Sequence, residues 1–422
     1  MRDIDNTKKE APIKEAPMLG LTGLGGGVAS LMWHHAGEEN QIGQLWAWGD
    51  NQYGCLGLNQ SPNVRKSSPT QVGTDTNWKV VIDAGNAGEA ISFAIKDDGT
   101  GWAAGLGGLM GINQPGFPPT SINHSSPVQL AGTWSDAWAR SAQGNVVATK
   151  ADGTLWTWGS NQHGMLGLNQ AYGPGEKKNR SSPCQVGTDT DWALHDGGVS
   201  CGYEYMFAMK QNGTLWMWGK NDNAGMGVGQ PFNYRRSSPT QLGTETTWEY
   251  IVSGSQGGNS VAKKTDGSLW VWGGSGGLGI PGSPPKNSPV QLGTGTDWAG
   301  ATVGGTAAFV TKTDGSLWVW GNANYGKLGL NGPNNQNMSS PMQIPGTWKM
   351  NNNSFAQINY ATLGIKQDGT LWSWGNNNKG QLGLNQPTND DRSSPAQVGT
   401  ATNWLAVGGI SAPGKNFFGI RK

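Results

Sequence analysis

The pentapeptide Leu-Trp-x-Trp-Gly recurs at 45–49, 155–159, 215–219, 269–273, 317–321 and 371–375. A degenerate copy, Gly101-Trp102-Ala103-Ala104-Gly105, fills the one gap in the series. The seven copies, anchored at Trp46, Trp102, Trp156, Trp216, Trp270, Trp318 and Trp372, are spaced 48 to 60 residues apart. A repeat of that length is one supersecondary unit that cannot bury its own apolar face, so the array is what folds.

Each unit has the same order of parts. A short apolar strand ends in lysine, as in Ile91-Ser92-Phe93-Ala94-Ile95-Lys96. A turn follows, as Asp152-Gly153, Asn212-Gly213, Asp266-Gly267, Asp314-Gly315 and Asp368-Gly369. Asp-Gly and Asn-Gly between apolar runs signal a hairpin, and a type I′ turn with two positive φ angles is expected. The second strand is Leu-Trp-x-Trp-Gly, whose two indoles share one face of the strand. Next come Asn-x-x-Gly-x-Leu-Gly-Leu, a variable loop, and Ser-Ser-Pro-x-Gln, which reads Asn287-Ser288-Pro289-Val290-Gln291 in the fifth unit. A further Trp closes each unit, at Trp78, Trp134, Trp192, Trp248, Trp298, Trp348 and Trp404. These positions hold 20 of the 22 tryptophans, leaving out Trp33 and Trp138. Trp at equivalent places in every unit reads as core and inter-unit packing rather than as a stacking platform.

Seven units of short antiparallel strands predict an all-β chain, a seven-bladed β-propeller of four-stranded blades, whose edges are short and protected. Phe417-Phe418-Gly419-Ile420-Arg421-Lys422 matches the strand that elsewhere precedes the turn, whereas Leu45-Trp46-Ala47-Trp48-Gly49 has no such strand directly before it. The last strand should therefore pair with the first motif and close the ring, giving a propeller over 41–422 and an arm over 1–40. Glycine, at 69 of 422 residues, suits a chain full of tight turns. The net charge is only +1, which argues against bulk attraction to nucleic acid. No apolar run is long enough for a membrane span, and Cys55, Cys184 and Cys201 make no metal-like spacing.

The order Asp-Gly-Thr-Leu-Trp-x-Trp-Gly, Asn-x-x-Gly-x-Leu-Gly, Ser-Ser-Pro-x-Gln-Val-Gly resembles the regulator of chromosome condensation repeat over nearly the whole chain after residue 40. The resemblance implies a seven-bladed propeller. It implies no single function, because family members include a nucleotide exchange factor, an ultraviolet photoreceptor and β-lactamase inhibitors. The loops and basic tail of the exchange factor and the Gly-Trp-Arg-His-Thr motif of the photoreceptor have no match here. The near-identity of the units is similar to bacterial and bacteriophage members.

No catalytic constellation is legible, and no cofactor motif. The five histidines, His34, His35, His124, His163 and His195, form no metal-ligand spacing. His34-His35 could bind metal only with help from a partner chain, and otherwise ends a polar segment. The recurrent Asp of the turns needs no explanation beyond the hairpin. The chain is therefore expected to be non-catalytic. One pattern stands out. The residue before each Ser-Ser-Pro or Asn-Ser-Pro is Lys66, His124, Arg180, Arg236, Lys286, Met338 and Arg392. Equivalent positions of a propeller share one face, so these residues should form a ring, with Lys177, Lys178 and Arg235 beside it. The ring could bind acidic glycan or phosphate. Alternatively, each cation could bridge to a neighbouring blade's carbonyl or acid, such as Asp75, Asp189 or Glu245.

The arm divides in two. Met1 to Pro17 is charged and carries Glu10-Ala11-Pro12-Ile13-Lys14 and its near-duplicate from Glu15. After it, Leu19, Leu21, Leu24, Val28, Leu31, Met32 and Trp33 are interleaved with glycine. A closed propeller has no groove for them, so a second chain is their expected partner. The order Ala16-Pro17-Met18-Leu19-Gly20-Leu21-Thr22-Gly23-Leu24-Gly25-Gly26-Gly27 resembles the N-terminal attachment segment of some marine bacteriophage virion proteins. The expected function is a bacteriophage virion component, a tail appendage or capsid decoration. It would dock on other virion proteins by residues 1–40 and present its propeller to a host glycan or receptor. The alternative is a cytoplasmic propeller that binds or regulates a protein partner.

Overall fold

The computed structural model describes residues 42–422 apart from 63, 85–90, 115–121, 141–143, 171–178, 231–233, 255–257, 275–276, 283, 333–336, 350–351, 359 and 412–415. Seven antiparallel sheets of four strands form a ring. We number blades 1 to 7 by their third strands: Gln44–Gly49, Thr100–Leu106, Leu155–Gly159, Leu215–Lys220, Leu269–Gly273, Leu317–Gly321 and Leu371–Gly375. In blade 4 the strands run, from axis to rim, Val199–Cys201, Tyr205–Met209, Leu215–Lys220 and Arg235–Gln241.

The ring closes as its ends require. Asn416–Arg421 pairs with Gln44–Gly49 along its whole length, from Gln44 opposite Arg421 to Gly49 opposite Asn416, and on its other side with Trp404–Gly408. Blade 1 is thus built from both ends of the propeller sequence. Two departures from seven separate four-stranded sheets occur. Asn123–Arg140 serves as the outer strand of blade 2 and then the inner strand of blade 3, and Ile410–Ser411 adds a short parallel strand to blade 7.

The hairpin turns differ from expectation. Only the glycine has positive φ, +81° at Gly153 and +76° at Gly213, and no turn aspartate does. The Gly153 N–H donates to the Lys150 carbonyl and the Lys150 N–H to the Thr154 carbonyl. This is a type I turn followed by a left-handed glycine, the three-residue alternative to type I′. The aspartate instead accepts bonds from the residue two places on. Asp152 Oδ1 takes the Thr154 N–H (3.0 Å) and hydroxyl (2.6 Å). The Thr154 oxygen in turn accepts the Trp156 indole N–H at 2.7 Å. The relay explains the string Asp-Gly-Thr-Leu-Trp, and Asn212 reproduces it in blade 4. These bonds, mainly the side-chain one, hold the carboxyls of Asp98, Asp152, Asp266, Asp314 and Asp368 below the ordinary aspartate value.

The two tryptophans of each motif have different tasks. The second is wholly buried between blades, as at Trp48, Trp158, Trp218, Trp272, Trp320 and Trp374. Its indole N–H donates to a loop carbonyl of the preceding blade, for example Trp218 to Met165 at 2.8 Å and Trp374 to Lys327 at 2.8 Å. Blade 2 has Ala104 there, and its junction with blade 1 is packed by Leu56, Val72, Trp78 and Trp102 instead. Ser-Ser-Pro is the other inter-blade link. Its first residue offers a carbonyl to a loop of the preceding blade, as in Asn385 N–H to Ser67 (2.8 Å) and Asn169 N–H to Ser237 (2.7 Å). The donor asparagines have φ near +50°, a region asparagine enters more readily than most side chains.

Candidate functional site: a face of cations and tyrosines

Strand register fixes where the expected ring lies. Lys66, His124, Arg180, Arg236, Lys286, Met338 and Arg392 each pair with the glycine that ends the third strand: Gly49, Gly105, Gly159, Gly219, Gly273, Gly321 and Gly375. All seven therefore lie at one end of the strands, on one face. The glycines are obligatory: Gly159 has φ +100°, and a Cβ there would run into the Gly144 carbonyl oxygen.

The cations have unequal surroundings. Among the described residues, Lys66, Arg180 and Lys286 have no carboxylate within ion-pair distance. Arg236 lies 4.6 Å over the Tyr234 ring. Arg392 bonds to Asp390 at 2.8 Å and Gln386 at 2.6 Å, and His124 Nε2 lies 2.9 Å from Gln114 Oε1. Among the described residues none of these cations pairs with an acid of a neighbouring blade; Arg392 pairs with an acid of its own blade. Asp75, Asp189 and Glu245 are bound on the opposite face, by Lys96, Lys210 and Lys264.

Aromatic side chains share the cationic face. Tyr53 and Tyr325 sit in the 3-10 turns after their third strands, and Tyr203 and Tyr360 in the hairpins that meet that strand end. Tyr325 is 42% exposed and packs against the Tyr360 ring, tilted to it, with centroids 4.6 Å apart. Beneath them, burial pushes the Lys327 ammonium down to about 8. His163 Nε2 lies 3.3 Å from Glu204, which also binds Lys220 at 2.6 Å. Along the axis, the inner strands surround an opening to solvent walled by Val80, Val199, Ile251 and Val407. Tyr250 borders it, its phenol held well above the ordinary value by burial and by Glu249. Among the described residues no three His, Cys, Asp or Glu side chains form a metal-binding group, and no helix is long and apolar enough to cross a membrane.

The opposite face carries a sevenfold arrangement that sequence reasoning missed. The cation ending each second strand lies over two indoles, the first Trp of the motif and the Trp that closes the preceding unit. Lys210 Nζ is 5.3 Å from the Trp192 ring and 5.2 Å from that of Trp216. Lys96, Lys150, Lys264, Lys312, Lys366 and Arg421 repeat the arrangement. The signal was present in the sequence, as a lysine at constant spacing before each Asp-Gly or Asn-Gly. What hid it was that its two aromatic neighbours come from different strands.

Regulator of chromosome condensation repeat models match residues 43–93, 152–209, 314–358 and 368–409, and a second model of the same repeat matches 198–224. This chain belongs to the regulator of chromosome condensation repeat family. The Arabidopsis thaliana mitochondrial RCC1 domain-containing protein RUG3 is 27% identical over 243 residues, 56% of this chain and 52% of that protein. This chain therefore spans about half the length of that relative. The Xenopus laevis regulator of chromosome condensation is 24% identical over 371 residues, 84% of this chain and 72% of that protein. The solved structure of Prp20p from Saccharomyces cerevisiae superposes with TM-score 0.73 at 17% identity, covering 91% of this chain and 93% of that one. Human WBSCR16 gives 0.71 at 20% identity, covering 90% and 99%. At such identities these two structures speak to the fold.

The docking residues expected in the arm, Leu19, Leu21, Leu24, Val28, Leu31, Met32 and Trp33, lie outside the described residues, as do His34, His35, Lys177 and Lys178.

Proposed function

We propose that this propeller is a non-catalytic interaction module that binds an acidic protein partner across the face bearing Lys66, Arg180, Arg236 and Lys286. One observation carries the reading: cations at equivalent positions converge on one face, three of them with no carboxylate beside them among the described residues. Tyrosines interleave with them, as suits a protein interface, where aromatic and guanidinium groups anchor binding. The relative Prp20 has been solved bound to Kap60, and it binds Gsp1p and histones. Those partners are not transferred to this chain; only protein binding by a protein of this fold is.

The test is affinity capture from the native source with wild type and with Lys66→Ser/Arg180→Ser/Lys286→Ser. The wild type should retain one partner whose binding weakens with salt, and the variant should lose it. Binding of a sulfated glycan array in place of any protein, also lost in the variant, would assign the ring to acidic glycans instead. Equal capture by both proteins refutes the reading.

A second reading concerns residues 1–40. Their apolar, glycine-interleaved sequence supports an attachment segment, and with it a structural role in a particle such as a virion rather than a free cytoplasmic one. Co-sedimentation of the protein with particles, lost on removing residues 1–33, is the outcome this reading requires.

A further inference from the structure

Four of the seven Trp-bound cations opposite the ring are completed by a carboxylate. Lys96 holds Asp75 at 2.8 Å, Lys264 holds Glu245 at 2.5 Å and Lys312 holds Asp297 at 3.1 Å. Lys210 holds both Asp189 at 2.7 Å and Asp191 at 3.0 Å. The acids come from the loop before the closing Trp, as in Gly73-Thr74-Asp75-Thr76-Asn77-Trp78, and are about half exposed.

The other three cations have no such acid. In blades 3 and 7 the loop shortens to Gly132-Thr133-Trp134 and Gly346-Thr347-Trp348, and in blade 1 it reads Gly399-Thr400-Ala401-Thr402-Asn403-Trp404. Among the described residues no carboxylate lies within ion-pair distance of Lys150, Lys366 or Arg421. These three lie close on the outer indole, 3.6 Å over Trp156, 3.7 Å over Trp372 and 3.9 Å over Trp46. In the completed blades the same distance is 4.6 Å for Lys96, 5.2 Å for Lys210 and 5.3 Å for Lys312, with Lys264 shorter at 3.8 Å. The Arg421 Nε is buried with no hydrogen-bond partner.

Lys366 and Arg421 stand on adjacent blades, and Lys349 spans the same junction, its Nζ donating to the Trp404 carbonyl at 3.0 Å. On this face of blade 7 the Asp368 oxygen is already engaged by the Thr370 N–H and hydroxyl. The sector is therefore cationic and aromatic, and the other blades show the group that completes it.

We infer that the Trp–cation pairs of blades 7 and 1 are docking positions for carboxylates of an acidic protein segment, with the Lys150 pair of blade 3 as a third. An incoming carboxylate would take the place that Asp75 occupies at Lys96. The indoles fix the cation and exclude water from one side of it, so the pair is stronger than one between two free surface side chains. This face is distinct from the ring of Lys66, Arg180 and Lys286.

The probe is a fluorescein-labelled octaglutamate peptide, followed by anisotropy at low and at physiological salt. The protein is the full chain carrying Lys66→Ser/Arg180→Ser/Arg236→Ser/Lys286→Ser, so that the ring cations without a carboxylate partner contribute nothing. Saturable binding that weakens with salt is expected. Adding Ala401→Asp, which restores within blade 1 the acid that blade 2 has in Asp75, should weaken it at least about tenfold. Lys366→Gln should act likewise. Asp75→Ala, which uncovers Lys96, should tighten it. Melting curves select folded variants, and the half-exposed loop makes Ala401→Asp the safer of the two. Binding that neither Ala401→Asp nor Lys366→Gln reduces overturns the inference, as does no binding at low salt.

Discussion

Replacing Trp218 by alanine should destabilise the propeller more than any change at Trp216, although the two side chains stand two residues apart on one strand. Trp218 is fully buried in the cluster joining blades 3 and 4, against Val147, Val186 and Met206. Losing a buried Trp costs about 3–5 kcal/mol. The substitution also removes the donor to the buried Met165 carbonyl, for about a further 1–3 kcal/mol. Trp218→Phe should isolate the second part, because it keeps most of the apolar area. Trp216 is half-buried and its N–H meets only the Thr214 hydroxyl of its own hairpin, so Trp216→Ala should cost below about 2 kcal/mol. Urea unfolding followed by far-UV circular dichroism, checked by calorimetry, measures all three. Equal loss at Trp216 and Trp218, or a Phe variant as damaged as the Ala one, would refute the division of labour between the two indoles.

Three further outcomes follow from the same packing. The turn carboxyls of Asp98, Asp152, Asp266, Asp314 and Asp368 titrate lower folded than unfolded, so the stability they contribute is complete above about pH 4 and is lost as pH falls through their depressed values. Changing all five to Asn, which Asn212 shows can make the same bonds, should leave the pH 7 melting temperature nearly unchanged and flatten its fall below about pH 4. Deleting Phe417 to Lys422 removes the partner of Gln44–Gly49 and opens the ring, so the melting temperature should drop by many degrees; an unchanged value would contradict closure. Removing residues 1–33 should leave a folded propeller by circular dichroism, and a variant that fails to fold would move the domain boundary.

Much of the architecture was legible in the chain because repetition multiplies weak signals. Seven copies of one motif set the blade number. The strand missing before Leu45 and the surplus one at Phe417 set how the ring closes. Glycine at the end of each third strand and before each Thr-Leu-Trp or Ser-Leu-Trp marked turns, and the backbone takes positive φ there. The ring of Lys66, Arg180, Arg236, Lys286 and Arg392 was likewise readable, because equivalent residues of a closed array must share a face. Turn type was not readable: Asp-Gly is compatible with type I′ and with type I plus a left-handed glycine, and the choice rests on the aspartate's bonds to the residue two places on. Nor could the sequence pair a cation with its acid. Asp75 and Lys96 are 21 residues apart, and only the fold of blade 2 brings them to 2.8 Å. The repeat dictates where each lysine and tryptophan stands on its own strand. Which carboxylate reaches which lysine, and which lysines are left without one, depends on loops that differ from blade to blade and on distances that exist only once the ring has closed.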